Sequence, residues 1–238
     1  MRSKYEEISQ SGAKWLGNSP WQSHTVDAVN AIKLVDGYIR FLDKIAGIGL
    51  AQLAKSGEAI DVGCGAGFIT RALKSRGLSI VGSEYDASIV AFARSMQPDI
   101  EFHESDLSSF VDPDRYALIF TREVYLFTRV NDFDRQKEVL SNLIASLRPG
   151  GVLLLAASEQ SKPDCLDFSR AIAFFRHDPR VASVTDSYLE PVFKHLRSFV
   201  FGSISYRCLM LILAPYVAIQ KFRRKWAPSL LVAFIKSG

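Results

Sequence analysis

Cysteine is scarce in this sequence: Cys64, Cys165 and Cys208 are the only three, and none stands at C-x-x-C spacing. An odd, scattered set gives neither a disulfide framework nor a zinc site, so reduced thiols and a cytoplasmic setting are the expectation. A strong charge of one sign is also lacking. Against 25 Asp and Glu there are 29 Lys and Arg, a formal net charge of +4. That is too mild to imply nucleic acid without a clustered basic face, and no nucleic-acid partner is expected. The opening residues, Met-Arg-Ser-Lys-Tyr-Glu-Glu, carry charge and no apolar stretch, so no signal peptide is expected. The most apolar run, Cys208–Ile219, contains Pro215 and falls well short of the roughly 20 residues that span a bilayer. Repeats and low-complexity tracts are absent as well.

What is present suits a folded enzyme-sized domain. The chain has 238 residues, 48% of them hydrophobic and 23% charged, which is ordinary for a globular protein and enough to bury a core. It reads as a single domain over 1–238: an N-terminal helical arm or lid (1–57), a ligand-binding core (58–157) and a C-terminal half (158–238).

The core is organised around Glu58–Phe68, Glu-Ala-Ile-Asp-Val-Gly-Cys-Gly-Ala-Gly-Phe. Ala59, Ile60 and Val62 read as a buried strand, and Gly63, Gly65 and Gly67 as a turn leading directly into a helix. Strand, glycine turn and helix start make a site for a nucleotide-like ligand. The glycines fall at every second position, and Phe68 stands where a dinucleotide fold needs its third glycine. Asp61, two positions before the turn, would repel a pyrophosphate and suits a cation.

The D-x-G-x-G-x-G pattern resembles motif I of the class I S-adenosylmethionine-dependent methyltransferases. A second match, Leu147-Arg148-Pro149-Gly150-Gly151 leading into the apolar run Val152–Ala156, lies at the expected distance. The resemblance covers about residues 58–157. It implies an α/β, Rossmann-like, seven-stranded sheet, mostly parallel with the last strand antiparallel and helices on both faces. It also implies S-adenosylmethionine as cofactor and S-adenosylhomocysteine as product. Cofactor residues would then be Asp61, Gly63, Cys64, Gly65, Gly67 and Phe68 in motif I. Glu84, at the end of a second apolar strand, is placed to accept hydrogen bonds from ribose, with Tyr85 beside the adenine. After a third strand (Ile100 to Phe102), Ser105, Asp106 and Leu107 would line the adenine edge, although Asp106 also reads as the N-cap of a one-turn helix. Thr121 directly follows a fourth strand, Tyr116–Phe120, and joins the cofactor set.

Beyond that strand come the acceptor-side candidates. Glu123 is the candidate base or substrate ligand, with His24 in the arm as a second catalytic candidate; Arg122, Tyr125 and Trp21 are candidate substrate contacts, and the resemblance implies that Trp15 or Trp21 in the arm would close the pocket as a lid. Quinone-biosynthetic relatives carry E-V-L-E-H here, associated with a metal. This chain reads Glu-Val-Tyr-Leu-Phe (123–127), so no metal role is carried over. The absence of Asn/Asp-Pro-Pro-Tyr and of Pro-Cys argues against amide, adenine or cytosine acceptors and favours a small molecule, at an oxygen or a nitrogen.

In the C-terminal half, 199–205 and 230–235 read as the sixth and seventh strands, separated by an insertion (206–227) that the family lacks. Its apolar segment precedes Lys221-Phe222-Arg223-Arg224-Lys225-Trp226, and 208–226 reads as a pocket wall, a homodimer face or a peripheral membrane contact. Two other readings stay open: a protein that binds the cofactor without transferring methyl, and a transferase acting on a lipid-linked acceptor. The glycine spacing disfavours an NAD-dependent oxidoreductase.

Overall fold

A computed structural model describes Ile39, Asp43, residues 49–157 and 165–187, Pro215, Ala218, Ile219 and residues 230–236. The elements in order are α1 (Leu50–Leu53), β1 (Glu58–Val62), α2 (Phe68–Lys74), β2 (Ser79–Glu84), α3 (Ala87–Met96), β3 (Phe102–Glu104) and a 3-10 turn (Leu107–Ser109). They continue with β4 (Tyr116–Arg122), α4 (Tyr125–Thr128), α5 (Phe133–Ala145), β5 (Leu147–Ala156), α6 (Phe168–His177), β6 (Val181–Ser187) and β7 (Leu230–Ile235). Aspartates start the three longer helices. Asp86 accepts the N–H groups of Ser88 and Ile89, Asp132 that of Arg135, and Asp167 those of Ser169 and Arg170, so first-turn donors that would otherwise be orphaned are satisfied.

The strands form one sheet in the order β3-β2-β1-β4-β5-β7-β6. β1 pairs in parallel with β2 on one side and β4 on the other, and β5 extends the parallel run. β7 lies antiparallel between β5 and β6. Strand order therefore reverses between β1 and β4, and ligands of open α/β sheets bind beyond the carboxyl ends of the strands at such a point.

Side-chain alternation along β1, β4 and β5 feeds two core layers. Ala59, Leu118, Phe120 and Leu154 pack with Leu50, Leu53 and Leu73 on one face. Ile60, Val62, Ile119, Leu153 and Leu155 meet Val139, Leu140, Leu143 and Ile144 of α5 and Phe168 and Phe175 of α6 on the other. Burying each large aliphatic side chain contributes about 2 kcal/mol, so α5 is held chiefly by this stripe. No helix among the described residues is long and apolar enough to cross a membrane.

Several expectations need correction. The sheet position assigned to 199–205 is filled by β6, Val181–Ser187; residues 199–205 lie outside the described residues. β6 is an edge strand with mostly exposed side chains, so its polar sequence hid it. The Leu147–Gly151 segment is the start of β5 rather than a turn before it, and the pairing slips register between Tyr116 and Leu118 where Gly150 takes φ 75°. β4 runs on through Arg122, and β3 starts at Phe102. Most of the helical arm read over 1–57 and most of 206–227 lie outside the described residues.

Candidate functional site at the carboxyl ends of β1, β2 and β4

The glycine turn leaves β1 and enters α2 with Gly63 at φ 72° and Gly67 at φ 76°, left-handed conformations that residues with a Cβ adopt only under strain. The turn is fastened to the next strand: the N–H groups of Gly63 and Cys64 both donate to the Ser83 carbonyl, at 2.8 and 3.0 Å. Glycine is also needed here for internal packing. A Cβ on Gly63 would stand 2.6 Å from Val124 Cγ2, and one on Gly67 would stand 2.5 Å from the Phe102 ring. Phe102 also closes on Gly82, where a Cβ would meet it at 2.4 Å. The α-carbons of Gly63 and Gly67 are thus covered by the chain's own side chains.

Two carboxylates flank the turn. Glu84 Oε2 accepts the Gly65 N–H at 3.0 Å and Oε1 accepts the Tyr85 N–H at 2.8 Å. Burial raises its pKa against the pull of these N–H groups. Asp61 lies deeper, 2% exposed, and takes the Thr70 hydroxyl of α2 at 2.6 Å. Burial first, and then the Glu84 charge, push it up to about 7; the Thr70 bond and Arg122 act the other way. Cys64 packs against the small cluster of Val90, Ala93, Ile100 and Phe102. Burial and the two acids push its thiol well above the ordinary range, which makes it a packing residue rather than a nucleophile.

Beyond β2 and β3, Ser105 donates its N–H to the Glu84 carbonyl at 2.9 Å, which draws Ser105, Asp106 and Leu107 to the same rim. Asp106 is exposed and its side chain caps the 3-10 turn by accepting the Ser108 N–H at 2.8 Å. Tyr85 is 45% exposed beside Glu84. Phe68 opens α2, half-buried against the first core layer.

At the end of β4, Thr121 is buried and its hydroxyl has no hydrogen-bond partner among the described residues. Arg122 is half-buried and near enough to Asp61 to lower its pKa. Glu123 then takes φ 55°, a left-handed conformation unusual for a residue with a side chain, while its N–H donates to the Ala156 carbonyl at 3.0 Å. Val124 turns onto Gly63, and Tyr125 opens α4. Asp61, the glycine turn, Glu84, Tyr85, Ser105–Leu107 and the 121–125 segment thus share one end of the sheet. His24, Trp15 and Trp21 lie outside the described residues, so the arm's part in the site is not among them.

Sequence reasoning missed Thr70, Phe102 and Val124. Each is an unremarkable apolar or hydroxyl residue in sequence and becomes specific only by what it covers. The one signal in the chain was Gly82, a glycine inside an apolar strand, which marks close approach by something else.

Residues 59–151 match the family model described as "Methyltransferase domain". The trans-aconitate 2-methyltransferase of Rhizobium meliloti (strain 1021) is 34% identical over 116 residues, which are 47% of this chain and 40% of that relative. The Sinorhizobium medicae protein of the same name is 31% identical over 122 residues, 50% of this chain and 44% of the relative. The chain thus spans less than half the length of these curated relatives. Among solved structures, the magnesium protoporphyrin IX methyltransferase of Synechocystis PCC 6803 with bound SAM superposes with a TM-score of 0.57 at 12% identity, covering 98% of this chain and 95% of that one. At that identity the likeness concerns the fold.

Proposed function

We propose that this chain, which carries a methyltransferase domain on a class I fold, binds S-adenosylmethionine and transfers its methyl group to an oxygen or nitrogen of a small molecule. The observation that carries the reading is the Glu84 carboxylate tied by Gly65 to the glycine turn, at the point where strand order reverses. The residues present fit the cofactor's chemistry. Asp61, buried beside the glycine turn, stands where a dinucleotide site would need to welcome phosphate, which suits a ligand bearing a sulfonium and an ammonium.

When bound, S-adenosylmethionine supplies an electrophilic methyl group, displaced in line from sulfur by the acceptor. The Glu84 carboxylate accepts backbone N–H groups from Gly65, Tyr85 and Asp86, and its remaining acceptor capacity would face a ribose hydroxyl. Ser105, Asp106 and Leu107 would border the adenine, with Tyr85 against its face. Asp61, buried behind the turn, orients α2 through Thr70 and adds negative charge behind a cation. Glu123 and Tyr125 stand on the acceptor side with Arg122. Glu123 takes the proton of a hydroxyl or protonated amine acceptor, and its left-handed backbone is the kind of strain that collects at working sites. The chain's main contribution is alignment, which can supply several kcal/mol of the barrier reduction.

A thermal-shift comparison tests the assignment. S-adenosylhomocysteine raises the melting temperature in a concentration-dependent way and NAD does not. Protection by NAD alone overturns it. Transfer of labelled methyl to a panel of small carboxylic acids, phenols and amines then separates a transferase from a protein that only binds. The relatives' name puts trans-aconitate in that panel.

A further inference from the structure

Gln136 is a polar residue on a buried face. It lies in the first turns of α5, 2% exposed, in line with Val139, Leu140, Leu143 and Ile144. Its Nε2 donates to two backbone carbonyls, that of Leu126 at 2.9 Å and that of Val130 at 2.6 Å. Both partners can only accept, so the amide must present its nitrogen to them.

Those carbonyls belong to the segment that follows β4. A four-residue helix such as α4 cannot hold itself, because nucleation costs more than one turn returns. The Tyr125 carbonyl takes the Arg129 N–H at 2.9 Å, and the other three are satisfied from outside. Phe127 O takes the Leu166 N–H at 2.7 Å, and Thr128 O takes the Cys165 thiol at 3.3 Å. Gln136 supplies the remaining anchor on the α5 side and grips the segment at both Leu126 and Val130. Immediately before α4, Val124 lies against the Gly63 α-carbon.

We infer that Gln136 is a positioning residue: by holding Leu126 and Val130 it keeps Val124 seated on Gly63 and so sets the spacing between the glycine turn and the acceptor side of the site. The inference rests on the methyl-transfer reading for the acceptor side and for the choice of probe. If the grip fails, the segment spends part of its time displaced and the turn loses its cover.

The test compares two full-length variants of the same helix. Gln136→Met keeps the side-chain length and removes both donors. Ser146→Ala removes a buried hydroxyl at the far end of α5, which donates to Asn142 O at 2.9 Å and accepts the Asp112 N–H at 3.0 Å. Both are expected to melt below the parent. Working well below either melting point, Gln136→Met binds S-adenosylhomocysteine about tenfold more weakly, as for a pocket assembled a tenth of the time. Ser146→Ala binds it like the parent. Hydrogen exchange at the Gly63 and Cys64 amides speeds up only in Gln136→Met. Equal affinity of Gln136→Met and the parent, or equal weakening in both variants, overturns the inference. Should the parent bind no S-adenosylhomocysteine, the proposed function fails by itself, and exchange decides. Acceleration at Gly63 and Cys64 supports the clamp, and acceleration confined to α4 overturns it.

Discussion

The Gly65 N–H donates to Glu84 Oε2 at 3.0 Å, which ties the carboxyl end of β2 to the middle of the turn that follows β1. The acid is therefore held in place before any ligand arrives, and a ligand need not pay to order it.

Removing that acid should show directly in binding. Glu84→Ala is expected to weaken S-adenosylhomocysteine by about 10- to 100-fold, the worth of one or two hydrogen bonds to a charged group. Calorimetric titration of the folded variant measures it. An unchanged dissociation constant would remove Glu84 from the site.

Asp61 should make stability depend on pH. Its folded pKa of about 7 lies above the ordinary 3.8, so the folded state holds the proton more tightly than the unfolded chain. Stability on this account is highest below about pH 4, falls as pH rises toward about 7, and is flat beyond. The full span is on the order of 4 kcal/mol at most. Asp61→Asn should melt above the parent at pH 8 and lose that advantage toward pH 4. Thr70→Val, which removes the donor to the carboxylate, should cost more at pH 8 than at pH 5. Parallel melting curves across this range would contradict both.

Phe102 should couple to the glycines it covers. Gly82→Ala places a Cβ 2.4 Å from its ring and is expected to cost about 1–3 kcal/mol of overpacking. Phe102→Leu in the same chain should recover part of that loss. Gly67→Ala meets the same ring, but at φ 76° its backbone strain persists after Phe102 is trimmed, so recovery is smaller. Urea unfolding of the two double-mutant cycles measures the difference, and strict additivity would rule out the contact.

Glu123→Gln keeps the shape and removes the base. Turnover of a hydroxyl acceptor should fall about 100-fold or more, with S-adenosylhomocysteine binding unchanged. Turnover equal to the parent's would leave Glu123 no part in proton transfer.

The parts of the fold that announce themselves in sequence are those where one local rule decides. Glycine spacing and an apolar strand marked Ala59–Gly67. Asp86 before Ala87 marks the start of α3, and the Leu140, Leu143, Ile144 stripe marks the buried face of α5. β6 was not legible because an edge strand buries little, and Val-Ala-Ser-Val-Thr-Asp-Ser carries no strong alternation. Gln136 was hidden for a related reason. A glutamine near the start of an amphipathic helix reads as a solvated residue, and only the tertiary placement of Leu126 and Val130 makes it a core donor. Glu84 was visible from its distance along the chain, whereas its bond to Gly65 depends on how β2 lies beside β1.

The most direct measurement is calorimetric titration of the full chain with S-adenosylhomocysteine, alongside Gly65→Arg. Arginine keeps the backbone N–H that holds Glu84, but it must adopt φ 53°, a left-handed conformation strained for a residue with a Cβ, and it brings bulk and a positive charge to a site read as one for a cation. The account predicts saturable binding at one site per chain in the parent and none in the variant. No saturable heat from the folded parent, or equal binding by both proteins, would contradict it.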